Sequence, residues 1–438
     1  MSFQNLKSSL ILFFLTFSFF TNGQVFTELP SMPERVSNNA VTEGMVNGVP
    51  HVYSFSGIDS TKIFSGIHKR AFRYNTDTQV WDQIADLPSG NGRIAAGAST
   101  VKNKIYIIGG YEVFSNGGEA SFDEVHIYDP EQDIYLPNGT PIPVPIDDHV
   151  QAVYKDSLIF VVTGWSNTTN VPDVQIYDPA NDNWQVGTPV PNNNDYKVFG
   201  ASGAIIGDTL YYIGGARFAN NFPSSSFFRK GYINPNDPTD ITWSGEPLML
   251  AAIAYRAAAL TTDQGLYWVG GSEVTYNFNG IAYNGSGGVS PRDNWSHYSP
   301  FFGNLISLDN FTAPIPKIMD LRGMARLDNN HGIIAGGMLE NQEVTNRVFQ
   351  YNFADLTNTN TLNLPRLDIF PNPTNESFTI QKEGNFQIQI FDSLGKLVLS
   401  KNKKGMESIN ISTLPTGSYF LKVFENEKIL GVEQLIIH

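Results

Sequence analysis

The sequence predicts an all-β chain, and three observations carry that expectation. Charged residues make up only 16% of the 438, aromatics reach 13% and glycines number 39, a balance that suits many short strands and tight turns. A β-rich run ending in Gly-Gly returns at intervals of roughly 50 to 65 residues through the middle of the chain. A second set of short strand patterns, with a different rhythm, fills about the last 70 residues. The length allows two or three domains.

Composition also excludes. With 42 Asp+Glu against 28 Lys+Arg the formal charge is −14, which argues against a nucleic-acid binder, since that would need a basic face. The absence of cysteine removes disulfides, thiolate metal sites, Cys nucleophiles and any cofactor built from a cysteine thioether. No cofactor and no metal centre are expected.

In chain order, Lys7 supplies a positive start, and Leu10-Ile11-Leu12-Phe13-Phe14-Leu15 opens an apolar run that ends near Phe20. That run is about 13 residues, short of the roughly 20 needed to span a bilayer as a helix. These features predict a signal peptide over residues 1–23 with cleavage before Gln24. The mature protein is then exported, without a transmembrane helix.

The clear copies of the central repeat are Ile105-Tyr106-Ile107-Ile108-Gly109-Gly110, Leu210-Tyr211-Tyr212-Ile213-Gly214-Gly215, Leu266-Tyr267-Trp268-Val269-Gly270-Gly271 and Ile333-Ile334-Ala335-Gly336-Gly337. Two worn copies end at Gly57 and Gly164. A second strand follows most of them and closes in a Tyr-Asp-Pro type turn, as at Tyr128-Asp129-Pro130 and Tyr177-Asp178-Pro179. A large aromatic comes a few residues later: Trp81, Tyr135, Trp184 or Trp243. Each unit reads as one four-stranded antiparallel sheet that cannot bury both faces alone, and six such sheets packed radially give a six-bladed propeller. The pattern resembles the kelch repeat and covers roughly residues 25–360. Val25 to Pro33 looks like an outermost strand without inner partners, so it is expected to complete the sixth sheet and close the ring. The propeller is assigned residues 24–365.

Residues 366–438 read as a separate small β-sandwich-like domain. It opens on Phe370-Pro371-Asn372-Pro373-Thr374, turns at Asp392-Ser393-Leu394-Gly395-Lys396, and runs through Leu414-Pro415-Thr416-Gly417 into Ser418-Tyr419. In that order these motifs resemble the C-terminal sorting domain of the type IX secretion system of Bacteroidetes. The resemblance implies periplasmic transit, a partnership with the export machinery, and release or outer-membrane surface attachment once the domain is removed. The alternative is an accessory domain with a ligand of its own.

Loops after Gly-Gly are long, notably Tyr111 to Glu124, Ala216 to Phe227 and Ser272 to Gly303, whereas the opposite face has short turns, so a site is expected on the long-loop rim. The approach to each innermost strand carries otherwise scarce polar residues: Arg93, Asp148 with His149, Lys197, Arg256 beside Tyr255, and Asp320 with Arg322. Converging on one axis they would form an Arg-rich pocket for carboxylates or sugar hydroxyls; alternatively they pair with each other and line a wet channel. The longest loop adds Tyr276, Phe278, Tyr283, Trp295, His297, Tyr298, Phe301 and Phe302, which would stack on sugars, grip a protein, or pack back as a local core. Trp295 and Tyr298 are taken as ligand-binding candidates.

Catalytic signatures are thin: no paired-His metal motif and no nucleophile elbow are present, and Asp147-Asp148-His149 is the one compact acid–imidazole cluster. Kelch propellers host both enzymes and binding platforms. Copper radical oxidases of this shape need a Cys-modified tyrosine and are excluded. The leading expectation is a secreted or surface-displayed module that binds a glycan or an extracellular protein, leaning away from an enzyme. The alternative is an enzyme on an acidic sugar, similar to the sialic-acid mutarotases.

Overall fold

The computed structural model describes residues 26–247, 252–300, 304–308, 316–354, 367, 369–391, 397–425 and 428–437. The expected signal peptide and the Asp392–Lys396 turn lie outside the described residues, as do Phe301 and Phe302.

Among the described residues there is no α-helix, and six four-stranded antiparallel sheets follow one another along the chain. Blade 1 runs from an innermost strand Ala40–Val46 through Val49–Ile58 and Ile67–Asn75 to an outermost Val80–Ile84. Blades 2 to 5 repeat that order, with innermost strands Gly97–Val101, Val150–Tyr154, Val198–Ile206 and Ala258–Thr262. In blade 6 the inner strands Ala325–Arg326, His331–Ala335 and Val348–Asn352 come from the end of the propeller sequence. Its outermost strand is Phe26–Leu29, paired from Phe26↔Tyr351 to Leu29↔Val348. A ring closed by both chain ends leaves no sheet edge between first and last blades.

The core is divided accordingly. Six buried apolar clusters are each shared by two adjacent blades, such as Tyr53, Phe55, Ile105 and Ile107 between blades 1 and 2, and Trp295, Ile334, Phe349 and Tyr351 between blades 5 and 6. Full burial of each such side chain contributes about 1.5–3 kcal/mol, so no sheet is stable without its neighbours.

The glycine pairs act between blades. Gly214 and Gly215 both have positive φ, and a Cβ on Gly214 would strike the Ala254 carbonyl of blade 5. That carbonyl accepts the Gly215 N–H at 3.3 Å. The same bond recurs from Gly110 to Ile146 (2.9 Å), Gly271 to Ile318 (2.9 Å) and Gly337 to Val36 (2.8 Å). In the worn third copy the Thr163 hydroxyl takes over, accepting the Val198 N–H at 3.1 Å. At the outer rim Trp81, Trp184 and Trp243 donate their indole N–H to the Pro30, Thr140 and Thr188 carbonyls at 2.9, 2.8 and 2.9 Å, each on the preceding blade.

The C-terminal strands form two sheets. One holds Ile369–Phe370, Ser377–Ile380 and Ile409–Asn410; the other holds Leu397–Lys404, Asn385–Phe391, Gly417–Glu425 and Lys428–Ile437. They share one apolar core that includes Phe378, Ile388, Ile390, Leu421 and Leu435.

Candidate functional site

One residue per blade forms a ring around the axis, just before the innermost strand or, for Gly200 of blade 4, within its first residues: Asn38, Ala95, Asp148, Gly200, Arg256 and Asp320. All six have positive φ. Their backbones link blade to blade: the N–H groups of Asn38, Asp148, Gly200 and Arg256 donate to the carbonyls of Asp320, Ala95, Asp148 and Gly200 at 3.0, 3.0, 2.7 and 2.8 Å. The Ala95 N–H meets the Asn38 side-chain carbonyl at 2.8 Å. Within the ring the charged members, Asp148, Arg256 and Asp320, combine.

Arg256 is 1% exposed and sits between two carboxylates. It donates from Nε and Nη2 to Asp148, at 3.1 and 2.5 Å, and from Nη1 to Asp320 Oδ1 at 3.1 Å. Ser37 and Asn38 complete the Asp320 carboxylate at 2.6 and 3.1 Å. Burial works against the Arg256 charge, but Asp148, Tyr255 and Asp320 together outweigh it and keep the guanidinium ionised. Arg322 approaches Asp148 at 3.4 Å and donates to the His149 carbonyl at 2.8 Å. This buried network plugs the axis, leaving one cavity on each side.

The long-loop face holds a pocket of about 300 Å³. Asp148 and Arg256 form its base; Tyr111, Trp165, Phe199, Phe222 and Tyr283 supply rings; Glu119, Asp147, Asn167 and Asn277 supply polar groups. Two short hairpins shape the wall, Tyr111–Val113 with Glu119–Ser121 from blade 2 and Trp165–Ser166 with Thr169–Asn170 from blade 3. They are tied by the Ser121 N–H to Asn167 Oδ1 (3.1 Å) and the Asn167 N–H to Ser121 Oγ (3.0 Å). Trp165 packs edge-on against Phe199 and Phe222, with ring centroids 5.6 and 5.7 Å apart, yet remains half-buried. Asp147 accepts the Ser121 hydroxyl at 2.6 Å. Burial, then the Asp148 charge, pushes the Asp147 carboxyl well above the ordinary range. Glu119 is pushed up less and stands exposed at the rim, so solvent discounts its shift.

On the short-turn face the axis opens into a cavity of about 390 Å³, lined by the innermost strands, with His149 and Arg322 near its base and Glu43 and Arg326 toward its mouth. His149 is 1% exposed, and burial, then Arg322, pulls its imidazole down to about 3, so it is neutral.

The ten sequence candidates therefore divide. Asp148 and Arg256 line the long-loop pocket, and His149 and Arg322 line the other cavity. Asp320 lies inside the plug, and Tyr255 is buried beside it, edge-on to Tyr276 at 5.0 Å. Lys197 lines neither cavity; its ammonium has no hydrogen bond or ion pair among the described residues, while its backbone N–H meets the Asn193 carbonyl at 2.9 Å.

Three expectations are corrected. Arg93 precedes its ring position by two residues, so it points into the blade, where it donates to the Gly109 carbonyl at 2.9 Å, to Ser89, and to Glu124. Trp295 and Tyr298 are not loop residues: they belong to the third strand of blade 5, Trp295–Ser299. Trp295 packs on Tyr351 at 5.0 Å and Tyr298 on Tyr211 at 4.6 Å, both between blades. The ligand role expected of these three is thereby withdrawn. Sequence reasoning did not place Tyr111 and Trp165 at the site, although both follow directly on a blade's terminal glycine.

Residues 368–438 match the Secretion system C-terminal sorting domain family, and residues 92–135 match the Kelch motif family. Among curated relatives, Kelch-like protein 25 of Xenopus tropicalis is 27% identical over 173 residues, covering 38% of this chain and 27% of the relative. Kelch-like protein terF of Aspergillus terreus is 29% identical over 200 residues, covering 42% of each. The chain thus spans well under half the length of these relatives. The solved structure of YjhT superposes with a TM-score of 0.57 at 15% identity, covering 73% of this chain and 95% of that one. The tail places the chain on the type IX route, secreted or attached to the cell surface. Sheet order, motif and tail agree: the chain is a kelch-repeat β-propeller that carries a type IX secretion C-terminal sorting domain.

Proposed function

We propose that the exported propeller is a glycan-binding module whose site is the long-loop pocket. The observation that carries this reading is the pairing of half-buried rings, Trp165 and Tyr283, with the carboxyl and amide groups of Glu119, Asp147, Asn167 and Asn277 around one concavity. Flat aromatic faces suit the C–H faces of sugar rings, and the polar groups suit their hydroxyls. A neutral sugar fits better than an acidic one, because the hydrogen bonds of Arg256 already go to Asp148 and Asp320 while Glu119 adds negative charge. An enzyme acting on an acidic sugar, the mutarotase-like alternative, would need a cation free to meet the substrate carboxylate.

A protein ligand is the second reading, favoured by Phe64, Phe114, Phe218 and Ile281, which stand more than 40% exposed on loops of the same face. A glycan array probed with the full chain and with Trp165→Ala separates these readings. Binding to neutral glycans that Trp165→Ala abolishes supports the first. Array silence overturns it in favour of a protein partner, and NMR-detected mutarotation of free sialic acid would favour the enzyme.

A further inference from the structure

The long-loop pocket gathers more negative charge than its cations answer. Around the plug four carboxylates, Glu119, Asp147, Asp148 and Asp320, meet two guanidiniums, Arg256 and Arg322. Among the described residues Arg256 is the one cation lining the pocket, and Asp148 and Asp320 take the hydrogen bonds of its Nε, Nη1 and Nη2. Arg322 lines the opposite cavity. Asp147 is 3% exposed and lines the pocket beside Trp165, with which its backbone exchanges two bonds of 2.9 Å. Its Oδ2 accepts the Ser121 hydroxyl at 2.6 Å, while its Oδ1 has no partner among the described residues and is not sealed. Burial, then Asp148 and Glu119, disfavour an ionised Asp147, a penalty that a cation brought by the ligand would relieve.

The rings point the same way. Phe222 stands 5.7 Å from Trp165 and 5.0 Å from Tyr283, and Phe199 packs against all three at 5.5 to 6.2 Å. Elsewhere in the propeller Phe122, Tyr212 and Phe228 each carry a guanidinium or ammonium, at 4.2, 4.9 and 4.9 Å from the centroid. Among the described residues no such group lies over Trp165, Phe222 or Tyr283. The face of an aromatic ring is negative and draws a cation. A sugar carboxylate would add to the unanswered charge, and a hydroxyl would leave it standing. A protonated amine brings donors for the carboxylates and a positive charge for the rings. We infer that the sugar ring entering the pocket carries a free, protonated amine, so that the ligand class is an unacetylated amino sugar. This rests on the glycan reading and narrows it.

The test is calorimetric titration of the full chain at about pH 6, where a sugar amine is protonated. The probes are oligosaccharides that differ at one ring only, bearing a 2-hydroxyl, 2-acetamido or 2-amino group, in both the gluco and galacto series. In at least one series the amine should bind about tenfold tighter than the other two forms. Asp147→Asn, which keeps an acceptor for the Ser121 hydroxyl, should cut that advantage below about threefold, and Glu119→Gln, at the exposed rim, should cut it by about twofold. Trp165→Ala should weaken all three forms, and Ser202→Ala, in the wall of the axial cavity, should change nothing. The inference is overturned if the three forms bind alike, if a neutral form binds tighter, or if the advantage of the amine survives both carboxylate variants; neutral binding that needs Trp165 then leaves the glycan reading standing. Silence of every probe while the array finds other glycans overturns the inference alone, and silence of both overturns both.

Discussion

The two ends of the propeller axis start from the same ring of residues and diverge completely. On one side the loops that join the second and third strands of blades 2 to 5 carry Tyr111, Trp165, Phe222 and Tyr283 into a pocket of about 300 Å³. On the other side the cavity wall is strand, and its side chains are mostly small or hydroxylic. Strands around an axis are constrained by their neighbours, whereas loops are free to diverge, so aromatic recognition groups gather on the loop side. What keeps the ends distinct is the Asp148–Arg256–Asp320 plug, a charge cluster that neither sheet packing nor burial would favour without its full set of partners.

The largest expected effect comes from breaking that divider. Arg256→Met leaves Asp320 buried without its cation and Asp148 with Arg322 alone, and should cost about 3–5 kcal/mol in a denaturant melt. Arg35→Met, which loses an exposed pair with Glu343 whose side chains are 50% and 56% open, should cost under about 1 kcal/mol. Equal costs would mean the plug does not hold the blades.

On the short-turn side, His149 makes stability depend on pH. Its imidazole is held at about 3 when folded, against about 6.5 unfolded, so the unfolded chain binds more protons between those values. Stability from this group is full above about pH 6.5 and is lost as pH falls toward 3. Between pH 6.5 and 4 the loss should be about 3 kcal/mol larger in the wild type than in His149→Gln, measured by melts at each pH. Parallel profiles would place His149 outside the buried floor. Asp147, pushed up rather than down, contributes in the opposite sense, which is why the difference between the two chains is the quantity to read.

Smaller again is Gly214→Ala, which forces a side chain into φ +68° and against the Ala254 carbonyl. It should cost about 2 kcal/mol, whereas Gly207→Ala, at φ +57° with open space around it, should cost nearer 1 kcal/mol. Similar costs would show that the glycine pairs serve turn geometry and not blade contact.

Much of this architecture was legible in the sequence, and for a reason. Gly-Gly recurs because the next blade's carbonyl leaves no room for a Cβ, and Trp81, Trp184 and Trp243 recur because one rim carbonyl awaits each indole. Such steric and hydrogen-bond demands leave a residue signature. The axial ring does not: its six positions share a left-handed backbone, which Asn38, Ala95, Gly200 and Arg256 all adopt, so conformation repeats while chemistry varies. That is why Arg93, two residues out of register, looked equivalent to Arg256. Trp295 was misread because the loop from Ser272 ends earlier than its composition suggested, in a strand whose apolar face is buried between blades. The pocket residues Glu119, Asn167 and Phe222 belong to single loops, and a repeat pattern cannot announce what occurs once.

The most direct test compares the two cavities with one ligand. A neutral oligosaccharide taken from the array is titrated calorimetrically into the wild type, Trp165→Ala and Ser202→Ala. The account predicts that Trp165→Ala weakens binding about tenfold, roughly 1.4 kcal/mol, while Ser202→Ala matches the wild type. Binding that survives Trp165→Ala and fails in Ser202→Ala would contradict it.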